Sequence, residues 1–385
     1  MRFAARDRVM VLAPHPDDET LGTGGLLQRV RAAGASARII VATDGEDNPW
    51  PQRVLERRIR IRTADRVRWA ARRRQETYAA LTALGVPPSW AVFLGLPDQG
   101  LTAIVTTQPS AAIQQLVAAL CDWRPTLLVM PSLHDLHPDH NSLGFLTLQA
   151  LTAMALADRP VVLTYIVHPL DTPAFPEGVR LHLTVDEQAR KRAAIEQHAT
   201  QLVFHGRSYR RVASGVESFA LMSSAFGGSA ALPMVRATVR AGILDVRLSS
   251  WGPRAWSTSL LIVGWRSAAE HAALRVEIGP WRRTASVYDS ASHIVGTARC
   301  VTADAECRIT LPLPEWSAST RLFVKAVSRL VFFDRGGWCE AAGPSLRWVD
   351  GEASQPGCDA AANGGPSSGT AQNPARFQRS VSSSS

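Results

Sequence analysis

The sequence predicts an α/β fold: a Rossmann-like parallel sheet with helices on both faces, followed by a smaller all-β, sandwich-like domain and a disordered tail. Three observations carry this. Up to about residue 205, short apolar runs alternate with stretches of helical periodicity, the pattern of strands buried on both faces and joined by crossover helices. After about residue 228 the runs are short and separated by turn residues, as in an antiparallel sandwich. From about Ala353 the chain is Gly, Ser, Ala, Asn and Pro, with too few large apolar side chains to bury a core. The boundaries expected from these shifts are 1–227, 228–352 and 353–385.

In order, Val9–Ala13 reads as a strand and Leu21–Ala33 as a helix closed by Gly34. Arg38–Thr43 is the second strand. An Arg-rich helix over Ala64–Leu84 stops at Gly85, the residue type that tolerates the left-handed turn ending many helices. Trp90–Leu96, Leu127–Pro131 and Val161–Val167 complete the buried strands. Helices are expected over Ser110–Asp122, His140–Ala157 and Val185–Gln201. In the later region Val235–Val239, Leu244–Leu248, Ser259–Trp265, Leu274–Ile278, Ala285–Tyr288, Arg308–Leu313 and Arg321–Val327 read as short strands.

At 385 residues, 46% hydrophobic and 19% charged, the chain falls in the globular range and has room for two domains. The longest apolar stretch, Leu143–Val167, is broken by Asp158, Arg159 and Pro160, so no transmembrane segment is expected. The N-terminal apolar run is too short for a signal peptide. Cys121, Cys300, Cys307, Cys339 and Cys358 are odd in number and form no CxxC pair, which suggests a reduced, cytoplasmic protein.

The net charge of +9 is almost all arginine, with Lys191 and Lys325 the only lysines. Such usage fits a GC-rich bacterial genome, and it gives a surface that attracts anions. The most basic run is Arg53–Arg74. A solvated helix face is its ordinary explanation; the alternative is a rim for a phosphorylated or lipid-linked substrate, with peripheral membrane contact. Nucleic acid is not expected, because only Trp50 and Trp69 interleave with the arginines. The later tryptophans (Trp251, Trp256, Trp265, Trp281, Trp316, Trp338, Trp348) read as sandwich core or as an interface with the first domain, with sugar stacking as the alternative.

In an open parallel sheet, ligands sit beyond the carboxyl ends of the strands. Two polar clusters fall there: Pro14-His15-Pro16-Asp17-Asp18-Glu19 after the first strand, and His134-Asp135-Leu136-His137-Pro138-Asp139-His140 after the strand ending at Pro131. His15 and Asp18 are three apart and share one side of a helical turn. With one histidine of the second cluster they make a His₂Asp set, leaving a fourth metal position open for water. A bound zinc would acidify that water and polarise a carbonyl. Asp17 is placed to take the proton. His137 can face the same site, with Asp139 as its orienting partner. Either cluster alone would read as a capped turn; two at strand ends of one layer argue for a site. Gly22-Thr23-Gly24-Gly25 lacks the last small residue of a dinucleotide fingerprint, so it reads as a close helix–sheet contact. The spacing HxxHxDH is one residue too long for a metallo-β-lactamase-like site, which leaves His134 as a loop residue.

The pair PHPDDE and HPDH resembles the PIG-L or LmbE-like family of zinc-dependent N-acetylglucosaminyl deacetylases. Further matches are Thr43-Asp44-Gly45, Arg73 and Glu76 before Gly85-Val86, Leu94-Gly95-Leu96-Pro97-Asp98, and Lys191…His198-Ala199-Thr200-Gln201. The resemblance covers roughly residues 5 to 205. It implies that His15, Asp18 and His140 hold one zinc ion per chain, with another divalent metal as the alternative. It implies Asp17 as general base, and His137 as oxyanion stabiliser or acid for the leaving amine, held charged by Asp139. Arg73 and Asp98 would contact the sugar or its aglycone. The expected activity is removal of an N-acetyl group from an N-acetylglucosamine-type conjugate, metal-bound water being the nucleophile. The alternatives are hydrolysis of another N-acyl conjugate at the same metal site, or glycan binding by a degenerate enzyme domain.

Overall fold

The computed structural model describes residues 1–168, 178–213, 215–222, 235–249, 257–267, 269–279, 282–303, 305–314, 320–328 and 332–342. The tail expected at 353–385 lies outside them, as do Trp251, Trp256, Trp281, Trp316 and Trp348. The first layer runs β1 (Arg8–Ala13), α1 (Asp18–Ala32), β2 (Ser36–Thr43), α2 (Pro49–Glu56), α3 (Thr63–Ala83), β3 (Ala91–Leu96), α4 (Leu101–Thr107) and α5 (Ser110–Trp123). It continues with β4 (Leu127–Pro131), α6 (Pro138–Thr152), β5 (Val161–Tyr165), β6 (Val179–His182), α7 (Val185–Ile195), α8 (Ala199–Val212) and β7 (Val216–Leu221).

The sheet order is β3-β2-β1-β4-β5-β7-β6. The five strands from β3 to β5 are parallel. The apolar residues of β1, β2 and β4 are largely buried on both faces beneath helices, as continuous apolar runs require, while the edge strand β3 leaves Val92 exposed. The expectation of a wholly parallel sheet needs correcting, because β7 pairs antiparallel with β5 and β6 antiparallel with β7. The sheet is therefore mixed. β6 exposes three of its four residues and carries no apolar run to betray it.

Two glycines of α1 allow the close packing expected of the GTGG stretch. A Cβ on Gly22 would lie 2.5 Å from the Tyr165 ring, and one on Gly25 would lie 2.2 Å from Leu183. Lys191 on α7 ties this contact down from within, donating to Leu21 O at 2.8 Å and to Glu217 on β7 at 2.7 Å. Glu217 in turn accepts from the backbone N–H of Gly25 and Leu26.

The second layer contains β8 (Val235–Arg240), β9 (Ile243–Leu248), β10 (Thr258–Trp265), β11 (His271–Glu277), β12 (Thr284–Tyr288), β13 (Ile294–Ala303), β14 (Glu306–Pro312), β15 (Arg321–Ser328) and β16 (Gly336–Glu340). Instead of the two facing sheets of a sandwich, these form one antiparallel sheet, ordered β16-β15-β10-β11-β12-β13-β14-β9-β8. Its ends meet through backbone bonds from Val239 N to Ala342 O (2.7 Å) and from Ala342 N to Ala237 O (2.9 Å). Curling the sheet until its edges meet removes the exposed edge strands that a flat sheet would leave. The enclosed core is apolar, from Val235 and Leu244 through Ile262 and Ile309 to Val324.

The outer face of β10, β15 and β16 packs on α6. Phe145 meets Trp265, Phe323 and Trp338 at ring-centroid distances of 5.6, 4.9 and 5.1 Å. Such pairs are each worth about 0.5–1.5 kcal/mol beyond the area they bury. Trp265 and Trp338 thus serve the interface. Backbone joins the layers too: Trp338 N donates to Leu133 O and Asp334 N to Leu136 O, both at 2.9 Å. A Cβ on Gly337 would come within 1.7 Å of Leu133 O, so this approach needs glycine.

At the centre of the joint Lys325 donates to Asn141 Oδ1 (2.8 Å) and pairs with Asp334 (2.7 Å), which accepts from Asn141 Nδ2 (2.9 Å). Burial lowers the pKa of Lys325 and raises that of Asp334.

Cysteine chemistry departs from expectation. Cys300, Cys307 and Cys339 are free, but Cys121 is disulfide-bonded, so the argument for a fully reduced chain does not hold. No helix among the described residues is long and apolar enough to cross a membrane.

Candidate metal centre

Parallel strands end at one edge, and the loops leaving β1, β3, β4 and β5 there converge on one buried cluster. His15 and Asp18 come from the first loop, Asp98 from the loop after β3, His137 and His140 from the start of α6, and His168 from beyond β5. Asp18 Oδ2 lies at the centre, 3.2 Å from His15 Nδ1 and 3.1 Å from His140 Nε2. His140 Nε2 is buried and, despite that proximity, is not aligned for a hydrogen bond. A histidine nitrogen is costly to leave unpaired in the interior. Donor atoms of His15, His137 and His140 cluster closely enough to share a cation, as do those of Asp18, His140 and His168.

Charge counting points the same way. Asp17, Asp18, Glu19, Asp98, Asp135 and Asp139 are all buried here, and among the described residues Arg73 is the only buried guanidinium. The histidines absorb the excess. Burial alone would lower the His15 pKa, but hydrogen bonds to Asp139, Asp18 and Asp98 hold it well above the ordinary value. Burial is likewise overcome at His140, which Asp18 and Asp135 raise to about 10. The residues therefore fit a divalent cation, which would supply the same charge at the same place.

Orienting contacts surround the set. Asp135 Oδ2 faces His140 Nδ1 at 3.2 Å and accepts from the backbone N–H of Val167 and His168, tying the β4 loop to the β5 loop. Carboxylates behind a metal-binding imidazole fix its tautomer and its direction. Asp139 does this for His15: its Oδ2 lies 3.2 Å from His15 Nε2, and it accepts from Gln99 N (2.7 Å) and Leu101 N (3.1 Å). This corrects the expected role, because the Asp139 carboxylate turns away from His137. Only the Asp139 backbone N–H reaches His137, donating to Nδ1 at 3.2 Å. An accepting Nδ1 leaves the proton on Nε2. Burial, then the neighbouring His140 and His15, push the His137 pKa well down.

Asp17 has a strained backbone, φ 138° and ψ −29°, rare for a residue with a side chain. Glu19 Oε2 accepts from its N–H at 2.9 Å and secures the conformation. Its carboxylate receives the Tyr209 hydroxyl at 3.1 Å. Burial and the adjacent Asp18 raise Asp17 to about 7, against the opposing pull of Arg73.

Both residues expected to touch substrate are engaged within the protein in this arrangement. Arg73 donates to Pro16 O (2.7 Å) and Gly45 O (3.1 Å) and lies 3.5 Å from Asp17. It braces the loop. Gly45, at φ +65°, leaves it room, since a Cβ would lie 1.8 Å from the guanidinium. Asp98 Oδ1 sits 3.2 Å from His15 Nε2, inside the histidine cluster. The arginine run also turns to structural use. Arg58 and Arg68 pair with Asp65, Arg66 with Asp47, Arg72 with Glu76 and Arg74 with Asp44.

Asp135, His168 and Tyr209 carry no role in the sequence reading. His168 did have a signal, since it follows the end of β5 as His15 follows β1. Tyr209 had none: it reaches Asp17 from 192 residues away.

Residues 10–151 match the PIG-L family model, described as GlcNAc-PI de-N-acetylase. The chain carries a PIG-L family domain. A 1D-myo-inositol 2-acetamido-2-deoxy-alpha-D-glucopyranoside deacetylase of Rhodococcus erythropolis is 28% identical over 185 residues, covering 45% of this chain and 60% of that protein. A diacetylchitobiose deacetylase of Thermococcus kodakarensis is 26% identical over 152 residues, covering 39% of this chain and 51% of that protein. Among solved structures, the N,N'-diacetylchitobiose deacetylase of Pyrococcus horikoshii superposes with a TM-score of 0.44 at 20% identity, over 56% of this chain and 84% of that one. The chain thus spans little more than half the length of these curated relatives. Both clusters lie inside the PIG-L match, and the whole of the β8–β16 sheet lies beyond it.

Proposed function

We propose that this chain is a metal-dependent amide hydrolase that removes the N-acetyl group from an N-acetylglucosamine-type conjugate. One observation carries the reading: His15 and His140 converge on a single oxygen of Asp18, beside a strained Asp17. His15, Asp18 and His140 would hold the ion, one per chain. Zinc suits a His₂Asp set, and such a set also takes other divalent metals. The ion supplies an acidified water and a polarised carbonyl.

The chain's own groups would do the rest. Asp17 takes the proton from the attacking water, with Arg73 and Tyr209 aiming its carboxylate. His137 donates from Nε2 to the oxygen that gains charge as the carbonyl carbon becomes tetrahedral. The C–N bond then breaks, and the proton on Asp17 passes to the nitrogen. Acetate and a free amine leave. Asp139, Asp98 and Asp135 hold the imidazoles in place, so this assignment makes Asp139 a positioning residue. The sugar half of the reading is supported by the relatives, which are named as deacetylases of an acetamido-glucopyranoside and of diacetylchitobiose.

The test is acetate release from a panel of N-acetylated sugar conjugates and non-sugar N-acyl amides, with and without a chelator. Chelator-sensitive release from sugar conjugates is expected. Release from the non-sugar amides alone would favour the broader deacylase reading, and no release by metal-loaded protein would reject hydrolysis.

A further inference from the structure

The curled sheet sends one short segment into the neighbourhood of the metal centre. Between β15 and β16, Phe332 and Phe333 stand beside the histidine cluster. Phe332 meets His137 edge-to-face at 4.8 Å, and Phe333 lies 5.1 Å from His168 and 6.1 Å from His137. The two phenyl rings are themselves 5.3 Å apart.

The segment is firmly seated on its C-terminal side. Asp334 N donates to Leu136 O, and the Asp334 carboxylate is held by Lys325 and Asn141. Asn141 follows His140 directly, so the joint that fixes the phenylalanines is continuous with the helix that carries the cluster.

Phe332 and Phe333 nonetheless remain 48% and 37% exposed. The core between the layers is well supplied with aromatics and uses neither of them. The cluster they adjoin is acidic, with carboxylate oxygens of Asp18, Asp135 and Asp139 each within 3.2 Å of a histidine nitrogen. Exposed aromatic rings thus stand directly beside a set of polar, hydrogen-bonding groups. A pyranose has this same division, with C–H faces suited to aromatic rings and hydroxyl edges suited to carboxylates.

We infer that Phe332 and Phe333, contributed by the β8–β16 sheet, form a platform for the C–H face of the sugar ring that bears the amide. They are specificity-determining residues supplied from outside the PIG-L match. The inference rests on the proposed hydrolysis for its substrate, but the binding arm of its test does not need turnover.

The experiment uses the full chain with its metal content checked, as wild type and as Phe332→Leu/Phe333→Leu. Leucine keeps apolar bulk and removes the ring face. For N-acetylglucosamine the double variant should lose about tenfold in kcat/KM, mostly through KM, since a platform that holds substrate and transition state alike acts on binding. For an acyclic N-acetyl amine it should lose nothing. Calorimetric titration with N-acetylglucosamine in an Asp17→Asn background should show a similar rise in Kd, and Phe332→Trp should retain tight binding. Equal effects on the sugar and the acyclic amide, or an unchanged Kd, would overturn the platform. Wild type that releases acetate from neither compound would instead overturn the hydrolase reading, with the titration still deciding whether the platform exists.

Discussion

The two sheets place their side chains by opposite rules. In the first, five parallel strands all end at one edge, and the loops after four of them deliver acids and histidines to a single cluster. In the second, antiparallel strands alternate direction, so successive loops fall at opposite ends and chemical groups are scattered between them. Its interior is aliphatic, and closing its edges leaves it little to offer except an outer face and one aromatic segment. Topology therefore divides the labour. The parallel layer can assemble chemistry, and the antiparallel layer can brace it and trim its specificity.

Three substitutions would break or sharpen this division, in decreasing order of expected effect. Asp17→Asn in the first layer should cut turnover about 10²–10⁴-fold, the usual contribution of a general base. Its metal content by elemental analysis should stay intact, and full activity would remove Asp17 from the mechanism. Asp135→Asn takes the orienting charge from His140 and should weaken metal affinity about 10–100-fold. A competitive chelator titration reads this directly; an unchanged midpoint would make Asp135 a purely structural link.

Lys325→Met tests the joint. It leaves Asp334 buried without its cation and should cost about 3–5 kcal/mol in denaturant unfolding, whereas Lys325→Met/Asp334→Leu should recover much of that loss. If both variants unfold alike, the pair does not couple the layers. The joint also sits one residue from His140, so the single variant should lower activity in proportion to the fraction opened.

Much of the first layer was readable because its strands are continuous apolar runs. RVMVLA and RIIVAT can hardly be anything else between helical patterns. The site was readable because its ligands are bunched within two short windows, each directly after such a run. What stayed hidden depends on pairing across long separations. β6 and β7 lack the apolar signature, being short and partly exposed. β16, beginning Gly336-Gly337, is defined by what it touches rather than by its own propensity. Strand periodicity marked most of the second layer, but periodicity does not say which strands pair, so a curled single sheet looked like a sandwich. Asp139 was found as a residue and misplaced as a partner, because spacing along α6 cannot tell whether a carboxylate turns to His137 or across to His15.

The burial of both lysines has a practical side. Lys191 and Lys325 are fully enclosed, one under α1 and one between the layers, while arginine does the work of solubility on the outside. An amine-acylating reagent therefore meets no lysine on the folded surface. Modification at Lys191 would report opening of the first layer, and modification at Lys325 would report parting of the two. The chain has in effect been fitted with two silent chemical clocks, each started only when its own part of the structure comes undone.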